Sequence, residues 1–147
     1  SLSGVSVVLI WAAGPDITAS TVVFSDDAAA AGAGKILFNG KCKVCHGAGG
    51  MGIQGVGPNL SDEFWIHGGS ASSIFSTIEN GVSGKMVPWK GLLTGKQISD
   101  VIAYIHALDA VDESAGGKGP EGKKYVPELE QVAPSDATST ESSDTAS

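Results

Sequence analysis

Cys42-Lys43-Val44-Cys45-His46 contains both cysteines of the 147-residue chain. Two cysteines so close together are compatible with a disulfide, a redox pair, half of a zinc site or haem attachment. A zinc site would need a second pair of ligands, and the chain has no further cysteine. A thioredoxin-like redox pair would need a surrounding βαβ pattern, which the sequence lacks. The histidine that follows the second cysteine therefore favours covalent attachment of a c-type haem.

The spacing of this motif suits haem attachment. The thiols of Cys42 and Cys45 would each add across one haem vinyl group, because two intervening residues let one turn of backbone span the porphyrin edge. The imidazole of His46 would then lie beneath the iron as its proximal ligand. We therefore expect one covalently bound haem c.

The second axial ligand has four candidates in the sequence, which are Met51, His67, Met86 and His106. Met51 is only five residues from His46, within a glycine-rich loop, so it would not easily reach the opposite face of the haem. Met86 lies between two predicted helices in a loop that contains glycine and proline. A lone methionine ordinarily fills a core, but one in such a loop packs little. We expect Met86 to be the ligand, His106 to be a partly buried helix residue, and His67 to lie at the rim as an alternative ligand.

Capping signals and apolar periodicity predict three helices. The first begins at Ser25 or Asp26, continues through an alanine-rich run and carries residues 36–38 on its apolar face. The second covers residues 70–80 and stops at a glycine. The third begins with a capping box and covers residues 94–108. No strand-like alternation occurs between the first helix and the last, so the predicted fold class is all-α.

The chain divides into three predicted parts. Residues 1–25 include an uncharged apolar run from Val5 to Ala13, which is too short to span a bilayer. This part is compatible with the remnant of a membrane anchor, the end of a signal segment or a packed arm. Residues 26–108 form the helical domain. Residues 109–147 predict an acidic low-complexity tail, mobile or laid along a partner, with Tyr125-Val126-Pro127 as its anchor.

The net charge of −7 comes almost entirely from this tail, and Asp16 supplies the remaining unit. Residues 26–108 carry six carboxylates and six lysines, whereas nine carboxylates and three lysines follow Leu108. The chain has no arginine and no basic patch, so we expect no nucleic-acid partner. Four of the domain's six lysines bracket Cys42 or the Met86 loop and predict a docking edge, namely Lys41, Lys43, Lys85 and Lys90.

Further residues of the domain resemble the small single-haem cytochromes c, over roughly residues 28–108. Gly34 and Phe38 stand eight and four residues before Cys42, where that family places a helix-crossing glycine and an aromatic residue. Val101 and Tyr104 match the residues of the last helix that, in this family, pack against that glycine and aromatic residue. The resemblance implies a small cytochrome c fold, with three to five helices wrapped around one haem, an irregular N-terminal arm and a C-terminal tail.

The loop after the motif extends this resemblance. Gly57-Pro58-Asn59-Leu60 follows His46 at the family's distance, which implies that the Pro58 carbonyl accepts the Nδ1 proton of His46. We also expect a set of apolar residues around the haem, which are Ile53, Val56, Pro58, Leu60, Trp65, Ile74, Ile78, Trp89 and Leu93.

The stretch from Gly57 to Gly69, together with Met86-Val87-Pro88-Trp89, is similar to the haem c domains in the cytochrome subunit of cbb3-type oxidases. Those domains usually have Met-Pro-Ala-Trp, so the proline here has moved by one position. That subunit usually carries membrane helices and two haems, whereas this chain shows one C-x-x-C-H motif.

These features predict one-electron transfer. Six-coordinate iron would bind no small-molecule substrate, so the chain is not expected to be an enzyme by itself. We expect the cytochrome c subunit or domain of a membrane-bound respiratory or photosynthetic complex, with the other subunits as redox partners. The alternatives are a free periplasmic electron shuttle and a haem sensor with an open iron site. The family resemblance implies a periplasmic location, either free or membrane-associated.

Overall fold

The computed structural model describes residues 16–127. Its helical segments are α1 (Ala28–Leu37), a π-helical turn (Phe38–Cys42), α2 (Lys43–His46), a 3-10 turn (Ala48–Gly50), α3 (Ala71–Asn80), α4 (Gly95–His106) and a second 3-10 turn (Glu113–Ala115). Two short antiparallel strands, β1 (Phe64–Trp65) and β2 (Lys123–Lys124), pair with Phe64 opposite Lys124 and Trp65 opposite Lys123. The described residues thus form a mainly helical domain, as the sequence predicts. The predicted apolar run from Val5 to Ala13 and the end of the predicted tail lie outside them.

Helices α1 and α4 cross at Gly34. A Cβ atom at Gly34 would overlap the carbonyl oxygen of Asp100, so the two backbones can approach this closely only where one of them has no side chain. One turn later, Phe38 is fully buried and its ring centroid lies 5.2 Å from that of Tyr104. The helix crossing implied by the cytochrome c resemblance is therefore confirmed.

The core fills the space between α1, α3 and α4. Its members are apolar residues that recur at helical spacing, as expected for amphipathic helices that share one core. The most deeply buried of them are Phe38, Phe75, Ile98, Val101 and Ile102.

The predicted ends of α3 and α4 agree with the structure. Ser70 caps α3 by accepting a hydrogen bond from the Ser73 N–H, and Gly81 follows its last residue. The capping box at α4 is complete, because Thr94 Oγ1 accepts from the Gln97 N–H while Gln97 Oε1 accepts from the Thr94 N–H. Helix α4 ends at His106, two residues earlier than predicted.

Two details of α1 differ from the prediction. Its N-cap is Asp27, which accepts from the Ala29 N–H, whereas Ser25 accepts a hydrogen bond from Asp27 itself. Ile36 was expected on the apolar face but is 75% exposed. Gly34 and Phe38 define the buried face, and a residue midway between positions i and i+4 points to the opposite side of a helix.

The segments on both sides of the helices pack onto them. In the N-terminal segment, Val22 is buried and the Asp16 carboxylate accepts hydrogen bonds from the N–H groups of Gly95 and Lys96 at the start of α4. Residues 109–127 return to the domain, where β2 pairs with β1 and the Tyr125 N–H donates to the Glu63 carbonyl.

The predicted boundary at Leu108 therefore does not end the packed structure. Residues 109–127 were predicted to be mobile or to lie on a partner, but they lie against their own domain. Hydrogen bonds to loop residues hold them there. The prediction was made from amino-acid composition, which does not reveal such bonds. Within residues 16–127, no helix is both long enough and apolar enough to cross a membrane.

Candidate haem site

A π-helical turn connects α1 to the Cys-x-x-Cys-His motif. The Lys43 N–H donates to the Phe38 carbonyl five residues earlier, and the chain continues directly into α2. The extra residue in this turn rotates Cys42 relative to the register of α1, and π-helical turns of this kind recur at functional sites. The sequence carried no signal for it.

Both thiols of the motif are free, with Cys42 half-buried and Cys45 exposed. Burial raises the pKa of the Cys42 thiol, and nearby Cys45 adds to the increase while the Lys41 charge opposes it. Since one turn of helix separates the two residues, a flat group at this surface could bond to both.

His46 is buried, and its Nδ1 lies 3.1 Å from the carbonyl oxygen of Pro58. Because a carbonyl oxygen can only accept, Nδ1 carries the proton and Nε2 keeps a free lone pair. Burial lowers the pKa of His46, the Lys118 charge lowers it further, and the Pro58 carbonyl opposes both effects. The ring is thus held in the neutral tautomer that a metal ligand requires, with the hydrogen bond that the resemblance implies.

The loop that follows His46, here called the proximal loop (residues 47–61), folds tightly against the motif. The Gly52 N–H donates to the His46 carbonyl at 2.6 Å, and the Leu60 N–H donates to the Gly50 carbonyl at 2.6 Å. A Cβ atom at Gly57 would overlap the Cys45 carbonyl oxygen. This contact sets Pro58 at the distance needed to accept from the His46 ring.

Met86 lies in a loop with its own hydrogen bonds. Its N–H and carbonyl pair with the carbonyl and N–H of Val82, both at 2.9 Å, and the Trp89 N–H donates to the Ile78 carbonyl at 3.0 Å. Met86 is half-buried and packs against the core. The Lys41 ammonium lies 5.7 Å from the centroid of the Trp89 ring, so the Met86 loop and the motif are adjacent.

The other candidate ligands lie elsewhere. A Cβ atom on Gly47 would be 3.2 Å from Met51 Cγ, so Met51 packs beside the residue that follows the proximal histidine. His67 is exposed. His106 was predicted to be partly buried, but it is exposed and stacks on the ring of Phe24 at 4.3 Å.

Most residues predicted to surround the haem are at least half-buried, but Val56 is 51% exposed. Ile78 is buried in the core, while Leu60, Trp65 and Trp89 are half-buried and pack against it. Pro58 is also half-buried. Two free thiols, a buried imidazole with one free nitrogen, a half-buried thioether and this apolar lining together fit a covalently attached haem.

Asn59 is a functional candidate that the sequence reasoning did not single out. It is 4% exposed, and its side-chain amide donates to the carbonyls of Val111 and Lys118 at 2.8 and 3.0 Å. Its Oδ1 accepts from the N–H and hydroxyl of Ser61. An asparagine directly after Pro58, whose neighbours are mostly apolar or glycine, was the available signal.

Comparisons with a family model and with individual proteins point to the same family. The family described as cytochrome c oxidase, cbb3-type, subunit III matches residues 29–105, which is more than half of the chain. The cbb3-type cytochrome c oxidase subunit CcoP of Cereibacter sphaeroides is 37% identical over 83 residues, covering 56% of this chain and 29% of the relative. Subunit FixP of Azorhizobium caulinodans is 36% identical over 99 residues, covering 62% and 32% respectively.

A solved structure is also similar. The crystal structure of cytochrome cL from the marine methylotrophic bacterium Methylophaga aminisulfidivorans superposes with a TM-score of 0.52 at 27% identity, covering 66% of this chain and 74% of that one. The matched curated relatives are much longer, and the chain spans about a third of their length. Both the matched segment and the fold are those of a cytochrome c that carries haem c. The chain therefore belongs to the cbb3-type cytochrome c oxidase subunit III family.

Proposed function

We propose that this chain is a one-electron carrier with a single haem c, attached to Cys42 and Cys45 and ligated by His46 and Met86. The observation that carries the proposal is the buried His46, which donates from Nδ1 to Pro58 and follows directly after two free thiols. When bound, the haem supplies the one-electron couple, and the protein supplies ligands, burial and a docking surface.

The residues around the motif each have a definite role in this proposal. The Pro58 carbonyl fixes the orientation of the His46 ring and increases the basicity of its free nitrogen. Met86 offers a neutral thioether, while the indoles of Trp65 and Trp89 keep water away from the site. A neutral sulfur ligand and exclusion of water both favour the reduced state, so they raise the reduction potential.

We further propose that the chain acts within a membrane-bound respiratory oxidase, on its periplasmic side, and passes electrons to other subunits. The family membership and the names of the matched relatives support this assignment. A docking edge is supported by four lysines that are all exposed, Lys41, Lys43, Lys85 and Lys90. Charges at such a rim mainly steer association.

Replacement of both thiols tests the attachment. We expect Cys42→Ala combined with Cys45→Ala to abolish covalent haem, because no other cysteine is present to form a thioether bond. Denaturing mass spectrometry of protein matured in a periplasm would measure the loss of the haem mass. Lys43→Ala, which changes an exposed residue between the cysteines, should retain that mass. Retention of haem by the double variant would refute the proposal.

A pair of methionine variants tests the sixth ligand. Met86→Ala should remove the weak thioether-to-iron absorption band near the red end of the oxidised spectrum and lower the reduction potential, because a neutral sulfur donor is lost. Met51→Ala removes the same side chain from the proximal loop and should leave both properties nearly unchanged. Loss of the band in the Met51 variant alone would instead assign the ligand to Met51.

A further inference from the structure

The residues that return to the domain after α4, here called the C-terminal strap (residues 109–125), are bonded to the proximal loop at Lys118. The Lys118 N–H donates to the Met51 carbonyl at 2.8 Å, and the Lys118 carbonyl accepts from the Asn59 side chain at 3.0 Å. The backbone of Lys118 is therefore fixed from both sides against the loop that begins after His46.

The side chain of Lys118 starts close to the proximal histidine. At Gly52, where φ is +84°, a Cβ atom would lie 2.8 Å from Lys118 Cβ, so glycine leaves the room that the lysine stem occupies. The Gly52 N–H in turn donates to the His46 carbonyl at 2.6 Å. One glycine thus separates the lysine stem from the backbone of His46.

The charge of Lys118 is shielded from water. Its side chain is only 15% exposed, and Nζ lies 2.8 Å from Glu121 Oε1, an oxygen that is itself buried. By contrast, Lys123 and Lys124 on the same strap are exposed. A buried charge acts on its neighbours through a lower effective dielectric constant, so we expect Lys118 to act on the site more strongly than Lys123 or Lys124.

We propose that the charge of Lys118 raises the reduction potential of the haem held by His46. The opposite charge of Glu121 partly offsets this effect. The inference rests on the proposed function. Reduction of the iron removes one positive charge from the site, so a fixed cation beside the proximal ligand favours the reduced state. The C-terminal strap places that cation, because its bonds to Met51 and Asn59 hold Lys118 in place.

Redox titration of the full haem-loaded chain at neutral pH tests this inference. Lys118→Met should lower the midpoint potential and decrease the reduced-to-oxidised ratio at a fixed ambient potential severalfold, where a tenfold change corresponds to about 59 mV for one electron. Lys123→Met removes the same charge from an exposed position of the strap and should change the ratio much less. Equal shifts in the two variants would overturn the inference.

Two further variants separate charge from packing. Lys118→Arg keeps the cation and should restore a potential close to that of the parent chain. Glu121→Gln removes the opposing charge and should raise the potential, even if Lys118→Met does not fold. An unchanged or lowered potential in Glu121→Gln would contradict the inference. The covalent haem mass distinguishes failure of this inference from failure of the proposed function. A parent chain without haem would refute the proposed function.

Discussion

The part of the chain from α1 to α4 (residues 28–106) is held together by different interactions from the two segments that flank it. The domain is assembled by apolar residues at helical spacing and by the close crossing of α1 and α4 at Gly34. Among the described residues, the C-terminal flank adds none to the buried core and depends on polar side chains, chiefly Asn59. The N-terminal flank combines the buried Val22 with the hydrogen bonds of Asp16.

This difference implies that two parts of the proposed haem site differ in local stability. The residues proposed to attach and ligate the haem belong to the helical domain, whereas Lys118 belongs to a flanking segment. Regions with few buried apolar contacts open at a lower free energy than the core. Loss of a flanking contact should therefore loosen one segment while leaving the helices intact, whereas a change at the helix crossing should affect the whole domain.

The largest effect is expected at the crossing. Gly34→Ala places a methyl group on the Asp100 carbonyl oxygen, so α1 and α4 must separate. Because overpacking of a core costs about 1–3 kcal/mol, and backbone atoms cannot move aside as a side chain can, we expect a loss of more than about 3 kcal/mol in the free energy of unfolding. Urea denaturation followed by circular dichroism would measure it.

The matched control lies two residues away on the same helix. Gly32 is exposed, with no atom within 4 Å of the position that its Cβ would occupy. Gly32→Ala should therefore stabilise the domain by up to about 1 kcal/mol, because alanine has the higher helix propensity. If the two substitutions changed stability in the same direction, helix propensity rather than the crossing would govern α1.

Asn59→Ala tests the C-terminal flank. The change removes the donor from two partly buried hydrogen bonds, to the carbonyls of Val111 and Lys118, so we expect a loss of about 2 kcal/mol in the free energy of unfolding. Hydrogen exchange followed by mass spectrometry should show faster exchange in residues 109–125 but little change in α4. Asn80→Ala, at an exposed position of α3, should change neither property. Slow exchange retained in the strap would show that other contacts hold it.

The same division explains what the sequence could and could not predict. Helices α3 and α4 were predicted with their caps because Ser70 and Thr94 act on residues three positions away, within one short stretch of sequence. The tautomer of His46 followed from a family resemblance rather than from spacing. The packing of the flanks depends on contacts such as Asn59 with Lys118, which are 59 residues apart and follow no periodic pattern.

The π-helical turn before Cys42 was missed for another reason. A single inserted residue changes neither composition nor apolar periodicity enough to be seen over five residues. Ile36 was misplaced because three consecutive apolar residues were assigned to one face, although consecutive residues of a helix point about 100° apart.

The smallest effect is expected at the N-terminal flank. Two side chains cap the start of α4 there, the charged Asp16 and the uncharged Thr94. The pKa of the Asp16 carboxyl lies below its ordinary value of 3.8, chiefly because the Gly95 N–H donates to it, with further bonds from the N–H groups of Ile17 and Lys96. A carboxyl with a lowered pKa in the folded state stabilises the protein above the ordinary value, and this contribution is lost as the pH falls through the lowered pKa.

Asp16→Ala should therefore reduce the melting temperature at neutral pH, and its difference from the parent chain should shrink below about pH 3.8. Thr94→Ala removes an uncharged cap from the same helix and should cost about 1 kcal/mol at every pH. Thermal denaturation of the three proteins over this range separates the two contributions. A constant difference for Asp16→Ala would mean that the side chain acts by packing or by neutral hydrogen bonds. The N-terminal flank would then be held in a pH-independent manner, like the C-terminal flank at Asn59.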